Sequence, residues 1–232
     1  MIGFFDSGKG GLTTLAEFIK KGFKGEFIYY ADYENAPFGN KNTDELYKIA
    51  ERSIALLRYM GADEIICACN TLSTALNKID TRITTLRIPF ELVDDYSSCV
   101  FLGTSYSVKN LDKWYFDMGG KAVALPSLAT LIDNSSPDIE TYLEDNLAFN
   151  ARTVILGCTH YIYFKKQIKK LLNAQKVLTV NEGITNRVKN EKGKEKIIYL
   201  QKEKAEEYST ALDLLSVKAT IKTYWLNKWK SF

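Results

Sequence analysis

Two short stretches carry most of the reactive chemistry in this chain. "ICACNT", residues 66–71, and "ILGCTHY", residues 155–161, each set a cysteine, Cys69 or Cys158, near the end of an apolar run and follow it with small polar residues. The second also holds His160, the only histidine in 232 residues. A strand-end cysteine just before a helix N-terminus meets partial positive charge, which predicts a lowered thiol pKa. Asn70, Thr71 and Thr159 add amide, hydroxyl and backbone donors suited to a carboxylate. "DSGKGG", residues 6–11, brings Asp6 as a carboxylate, Ser7 as a donor, and glycines for close backbone approach. The turn "APFGNK", residues 36–41, offers further amides for a second anionic group. Two thiols on opposite sides of one site can remove a proton from one face of a carbon and deliver one to the other. That inverts a stereocentre without a cofactor. Each thiol then needs a neighbour to manage its proton near the working pH, and Asp6 and His160 are available, one per half.

Singly, these signals have plainer readings. A buried cysteine is usually packing, and a glycine cluster is usually a turn. "DSGKGG" lacks the Lys-Ser/Thr end of a phosphate loop and the full dinucleotide pattern. A hydrolase built on Cys158 and His160 leaves Cys69 without a task, since it needs one nucleophile. Cys67 and Cys69 with one distant histidine match structural zinc spacings poorly, so no metal site is expected.

The elements that must position these residues follow from the pattern of apolar runs. "MIGFF" is a strand entering the glycine turn, "LTTLAEFIKKG" a helix and "EFIYYAD" a strand. "TDELYKIAERSIALLRYMG" is a helix with Thr43 as its expected N-cap and Gly61 as its stop. "DEIICAC" is a buried strand and "NTLSTALNKI" a helix. Strand and helix in alternation predict an α/β fold with a mainly parallel sheet flanked by helices. "TTLRIPFELVDDYSS", residues 84–98, is the expected crossover into a second half that repeats the theme. There "SSCVFLGT", "KAVAL", "TVILGC" and "QKVLTVNEG" read as strands, and "DIETYLEDNL" and "HYIYFKKQIKKLL" as helices. A last helix, "KEKAEEYSTALDLLS", precedes an edge strand in "ATIKTYWLNKW". Residues 63–71 and 152–160 are then equivalent strand ends, where ligands bind in open α/β sheets.

Composition excludes several classes. A net charge of +3 is too small to argue for nucleic acid or a membrane surface, and 46% hydrophobic with 25% charged residues is ordinary for a globular protein. The mixed-sign run "NEKGKEKIIYLQKEKAEE", residues 190–207, reads as a solvated surface. No signal peptide or membrane span is visible, so a cytoplasmic protein with reduced thiols is expected.

Taken together, four segments resemble a known family. "IGFFDSGKGGLT", "ADYENAPFGNK", "CACNTLSTA" and "VILGCTHY" are similar, in order and spacing, to the signatures of the glutamate racemase branch of the aspartate/glutamate racemase family. The likeness spans residues 2–190. It implies two pseudo-symmetric α/β lobes with the active site in the cleft between them, residues 1–92 plus 205–232 forming the first and 93–204 the second. It implies a cofactor-independent enzyme that interconverts L- and D-glutamate, a cell-wall (peptidoglycan) precursor, by proton transfer at Cα. Cys69 and Cys158 match the two thiols, and Asp6 and His160 the groups that assist them. Ser7, Phe38, Gly39, Asn70, Thr71 and Thr159, with Asp6 and His160, match substrate-holding positions. Asp6-Ser7 and His160 favour the glutamate branch over the aspartate racemases. The alternatives are a racemase for another amino acid such as aspartate, or an inactive binding homologue. The resemblance leaves a homodimer open. Departures from the family pattern are Phe38 for tyrosine, Leu72 for alanine, Ile162 for proline, and Asp133 where the family carries a glutamate near the site.

Overall fold

The apolar runs form two parallel sheets. The computed structural model describes residues 1–77, 83–189 and 195–226. Strand β1 (Ile2–Asp6) is buried along its whole length, as a strand with helices on both faces must be. Ile2 and Phe4 enter the core on one face of the sheet, where Phe4 meets Phe18 edge-on at 5.2 Å, and Phe5 enters the core on the other. Helix α1 (Leu12–Lys20), β2 (Gly25–Ala31), α2 (Thr43–Tyr59), β3 (Glu64–Cys67), α3 (Asn70–Leu76) and the short β4 (Thr84–Thr85) follow. The N-cap of α2 is Asn42 rather than Thr43. Its side chain accepts the Glu45 amide while the Glu45 carboxylate accepts the Asn42 amide, both at 2.9 Å, satisfying two helix-end donors reciprocally.

The second half contains β5 (Cys99–Gly103), α4 (Ser105–Lys109), α5 (Lys113–Asp117), β6 (Lys121–Ala124), α6 (Leu128–Asp133) and α7 (Ile139–Asn146). β7 (Thr153–Leu156), α8 (Lys165–Leu171) and β8 (Lys176–Thr179) complete it. Helices α4, α5 and α6 have five or six residues, too few for a helical period to show in sequence. The helix expected directly after Cys158 opens instead as a 3-10 segment, Thr159–Phe164. The chain ends in β9 (Lys196–Gln201), α9 (Ala205–Leu214) and β10 (Thr220–Tyr224).

The six-stranded sheet has the order β10-β9-β2-β1-β3-β4 and the four-stranded sheet β6-β5-β7-β8, every pair parallel. The return to the first sheet starts earlier than residue 205. Val180, Ile184 and Val188 pack into the core that holds Phe4 and Leu15, and β9 pairs with β2. Strand β10 lies at the edge, its residues mostly exposed with Lys222 among them, which guards an open edge against further pairing. The tail beyond residue 226, part of the expected edge strand, lies outside the described residues. Among the described residues no helix is long and apolar enough to cross a membrane.

Candidate active site

Strands β1, β3, β5 and β7 all end at the gap between the sheets, and the residues there wall a cavity of about 290 Å³. Asp6 closes β1, Cys69 follows β3, Thr104 follows β5 and Cys158 follows β7. Both thiols line this one cavity, and they are only 6% and 7% exposed. Ser7, Phe38, Gly39, Asn70, Thr71, Thr159 and His160 line it too, and Asp6 is buried at the end of β1. Nine of the ten residues singled out in the sequence thus line a single space, and Asp6 lies buried beside it, within 3.5 Å of the Thr159 hydroxyl.

Their environments differ sharply between the two sides. Asp6 Oδ2 accepts the Gly11 amide and, at 3.5 Å, the Thr159 hydroxyl, while Oδ1 is buried with no hydrogen-bond partner among the described residues. Burial raises the Asp6 carboxyl against the pull of His160 and the Ser7 amide. Burial, and then the Asp6 carboxylate, push the Cys69 thiol well above the usual range. The lowered pKa expected from the following helix is therefore corrected for Cys69. Helix α3 has seven residues, and its end field is outweighed by burial beside an anion.

On the other side, His160 Nδ1 lies 3.8 Å from Cys158 Sγ, and Nε2 lies 3.0 Å from both Asp133 carboxylate oxygens. Burial alone would discharge the imidazole, but Asp133 and Cys158 raise His160 well above its ordinary value. For Asp133, burial pushes upward and is outweighed by His160 and by the Lys9 amide and ammonium, which hold the carboxyl below the usual range. The Gly10 amide also points at Nε2, 3.1 Å away. A protonated Nε2 cannot accept that bond. Donation to Asp133 prevails, because a lone pair facing a carboxylate at this distance would be repelled.

The polar wall also joins the lobes. Asn70 Nδ2 donates to the Gly157 carbonyl at 2.7 Å and to Ser107 Oγ at 3.3 Å, so its amide protons are committed to the second lobe. What Asn70 retains for a ligand is its side-chain oxygen and its main chain. The Thr71 and Thr104 hydroxyls lie 3.0 Å apart. Thr104 was missed in the sequence, although "VFLGT" sets it at a strand end before a helix, the same signal that marked the cysteines. Lys204 and Glu207 also line the cavity, which corrects the reading of their charged run as wholly solvated. The pairing of β9 with β2 brings them there, and charge composition cannot foresee a strand pairing.

The glycines of "DSGKGG" make room for the opposite lobe. A Cβ on Gly8 would fall 2.2 Å from Asp133 Oδ2, and one on Gly10 would fall 2.3 Å from His160 Nδ1. Gly10→Ala should therefore displace the imidazole and lower kcat/KM about tenfold to a hundredfold, with circular dichroism unchanged. Wild-type turnover in that variant would show that His160 tolerates displacement. The other cysteines lie apart from this chemistry. Cys67 is buried in β3, its thiol pushed up to about 12 by burial, and Cys99 is buried at the start of β5. Among the described residues no cluster of His, Cys, Asp and Glu is placed to hold a metal ion.

Comparison with known proteins gives a consistent set of relatives. No family model matches the chain. A glutamate racemase from Campylobacter concisus is 31% identical over 216 residues, covering 83% of this chain and 82% of its own. Among solved structures, a glutamate racemase from Campylobacter jejuni aligns with a TM-score of 0.77 at 20% identity, covering 93% of this chain and 98% of its own. One from Francisella tularensis, solved with D-glutamate, aligns at 0.75 and 21%, covering 98% of both chains. An aspartate racemase from Picrophilus torridus is more distant, at 0.53 and 15%, covering 81% of this chain and 91% of its own.

Proposed function

The chain belongs to the glutamate racemase family, and from that premise we propose that Cys69 and Cys158 exchange protons with opposite faces of a glutamate Cα. The observation that carries this reading is the single cavity lined by one thiol from each lobe. The enzyme interconverts L- and D-glutamate. In each direction one sulfur, as thiolate, takes the Cα proton, and the other, as thiol, gives its proton to the opposite face. Turnover leaves the two sulfurs with exchanged protonation, so one thiol and one thiolate suffice for both directions.

The surroundings fit these tasks. Deprotonation puts charge on the α-carboxylate, which needs donors already in place. Ser7, Thr71, Thr159 and the amides of the turn at Phe38-Gly39 supply them around the cavity. Phe38 is buried and has no hydroxyl to give, so the turn contributes through its main chain. The unpartnered Asp6 Oδ1 suits the Cys69 proton or the substrate ammonium, and Asn70 Oδ1 suits the ammonium as well. Asp6 assists Cys69, and His160, held by Asp133, assists Cys158. The proposal extends to a cytoplasmic enzyme without a cofactor whose D-glutamate enters peptidoglycan.

The test is Cα–H exchange followed by proton NMR in deuterated water over a panel of amino acids. Both glutamate enantiomers should exchange and invert, and aspartate, one methylene shorter, should react roughly 10–200-fold more slowly. Faster exchange of aspartate would move the assignment to that substrate, and binding without exchange would point to an inactive homologue.

A further inference from the structure

Lys9 has no part in the proton transfers described above, yet it is 8% exposed and sits at the junction of the lobes. It belongs to the first lobe, in the turn after β1. Its Nζ donates to the Asp133 carbonyl at 3.1 Å and to Ser135 Oγ at 3.3 Å, both at the end of α6 in the second lobe. Its amide donates to Asp133 Oδ1 at 3.1 Å, and its carbonyl accepts the Tyr163 hydroxyl at 3.0 Å. The fifth contact lies on its own lobe: Glu207 Oε1 of α9 is 3.7 Å from Nζ, and Glu207 also holds Lys204 at 3.0 Å. A lysine this enclosed loses much side-chain freedom, so its contacts must repay the cost of ordering and desolvating it.

We propose that Lys9 is an interlobe latch, a positioning residue that fixes the end of α6 and so holds the Asp133 carboxylate against His160. The inference rests on the racemase reading of this site. Its geometry has a fixed side and a released side. Any parting of the lobes breaks the bonds from Nζ to Asp133 and Ser135. Glu207 stays with Lys9 on the first lobe and keeps the ammonium aimed at its partners for the next closure. As the lobes meet, the same residue seats the Asp133 carboxylate, so closure and the charging of His160 occur together.

A second role as a mere nearby cation makes the opposite pH prediction. His160 is faced by Asp133, Cys158 and Asp6. Asp133 is faced by His160, Lys9, Asp6, Tyr29, Tyr163 and Tyr208. Removing a cation without moving Asp133 would favour the imidazolium and shift its loss to higher pH. Freeing the end of α6 takes the anion away from His160 and shifts that loss to lower pH.

The experiment compares the wild-type chain with Lys9→Met, Lys9→Arg and Glu207→Gln. Lys9→Met should lower kcat/KM about tenfold, as expected for losing a buried charge-assisted contact, and move the basic limb of its pH profile to lower pH. Lys9→Arg should restore most of both. Hydrogen exchange gives a readout independent of turnover, because the Asn134, Ser135 and Ser136 amides are bonded within the end of α6. They should exchange faster in Lys9→Met and, to a lesser degree, in Glu207→Gln, which also serves if Lys9→Met fails to fold. Unchanged exchange at these amides, or a basic limb that stays or moves up, overturns the latch. Absence of glutamate racemisation in the wild type would overturn the proposed function instead, and the latch would then stand or fall on the exchange data.

Discussion

Cys69→Ala and Cys158→Ala are each expected to lose racemisation, by about 10²–10⁴-fold in kcat, the range of a missing acid or base. What remains differs between them. On the proposed mechanism, the sulfur that remains still faces one side of Cα and can remove a proton there and return a deuteron from solvent to that same face. Each variant should therefore wash deuterium into one enantiomer of glutamate without inverting it, and the two variants should choose opposite enantiomers. Proton NMR for wash-in and optical rotation for inversion read the two processes separately. Near-normal racemisation by either variant would exclude the two-thiol mechanism. Wash-in to the same enantiomer by both would show that the sulfurs do not flank Cα. The aspect that makes this demanding is burial: alanine removes a sulfur from a nearly closed wall, so the variants need checking for fold by circular dichroism.

The reach of the sequence was set by how local each feature is. The strand ends at Asp6, Cys69 and Cys158 were legible because an apolar run stopping at a reactive residue is a contiguous signal, and parallel α/β topology then puts those ends on one side. Residues that join the site through long-range pairing left no such mark. Lys204 and Glu207 look like surface charges until β9 is seen to return to the first sheet. Lys9 is one more residue of a glycine turn until Asp133 and Ser135 arrive from 124 and 126 residues away. The glycines were recognised as sites of close approach, but what approaches is Asp133 and His160, a fact of lobe packing. The upward shift of the Cys69 thiol is hidden from the sequence for the same reason, since burial and the neighbouring Asp6 are properties of the assembled cavity.

Asp133→Asn should lower kcat/KM by about 10²–10⁴-fold while leaving the cavity nearly isosteric, because it removes the charge that keeps His160 protonated. An asparagine oxygen can still accept the Lys9 amide, so the end of α6 stays in place. Without the anion, burial dominates at His160 and the imidazole becomes neutral, with Nε2 free to accept from Gly10. The basic limb of the kcat/KM profile then moves to lower pH. The same charges fix the pH dependence of stability. The folded pKa of His160 is raised, so its contribution is fully present below its unfolded value of about 6.5 and is lost as pH rises through the folded value. The folded pKa of Asp133 is depressed, so its contribution is present above its unfolded value of about 3.9 and is lost as pH falls through the folded value. The stability difference between wild type and Asp133→Asn, measured by urea denaturation, is therefore greatest between about pH 4 and 6.5 and shrinks toward both extremes. A difference that stays flat from acidic through alkaline pH would mean that His160 and Asp133 are not an ion pair. The role of His160 beside Cys158 would then reduce to that of a neutral hydrogen-bond partner.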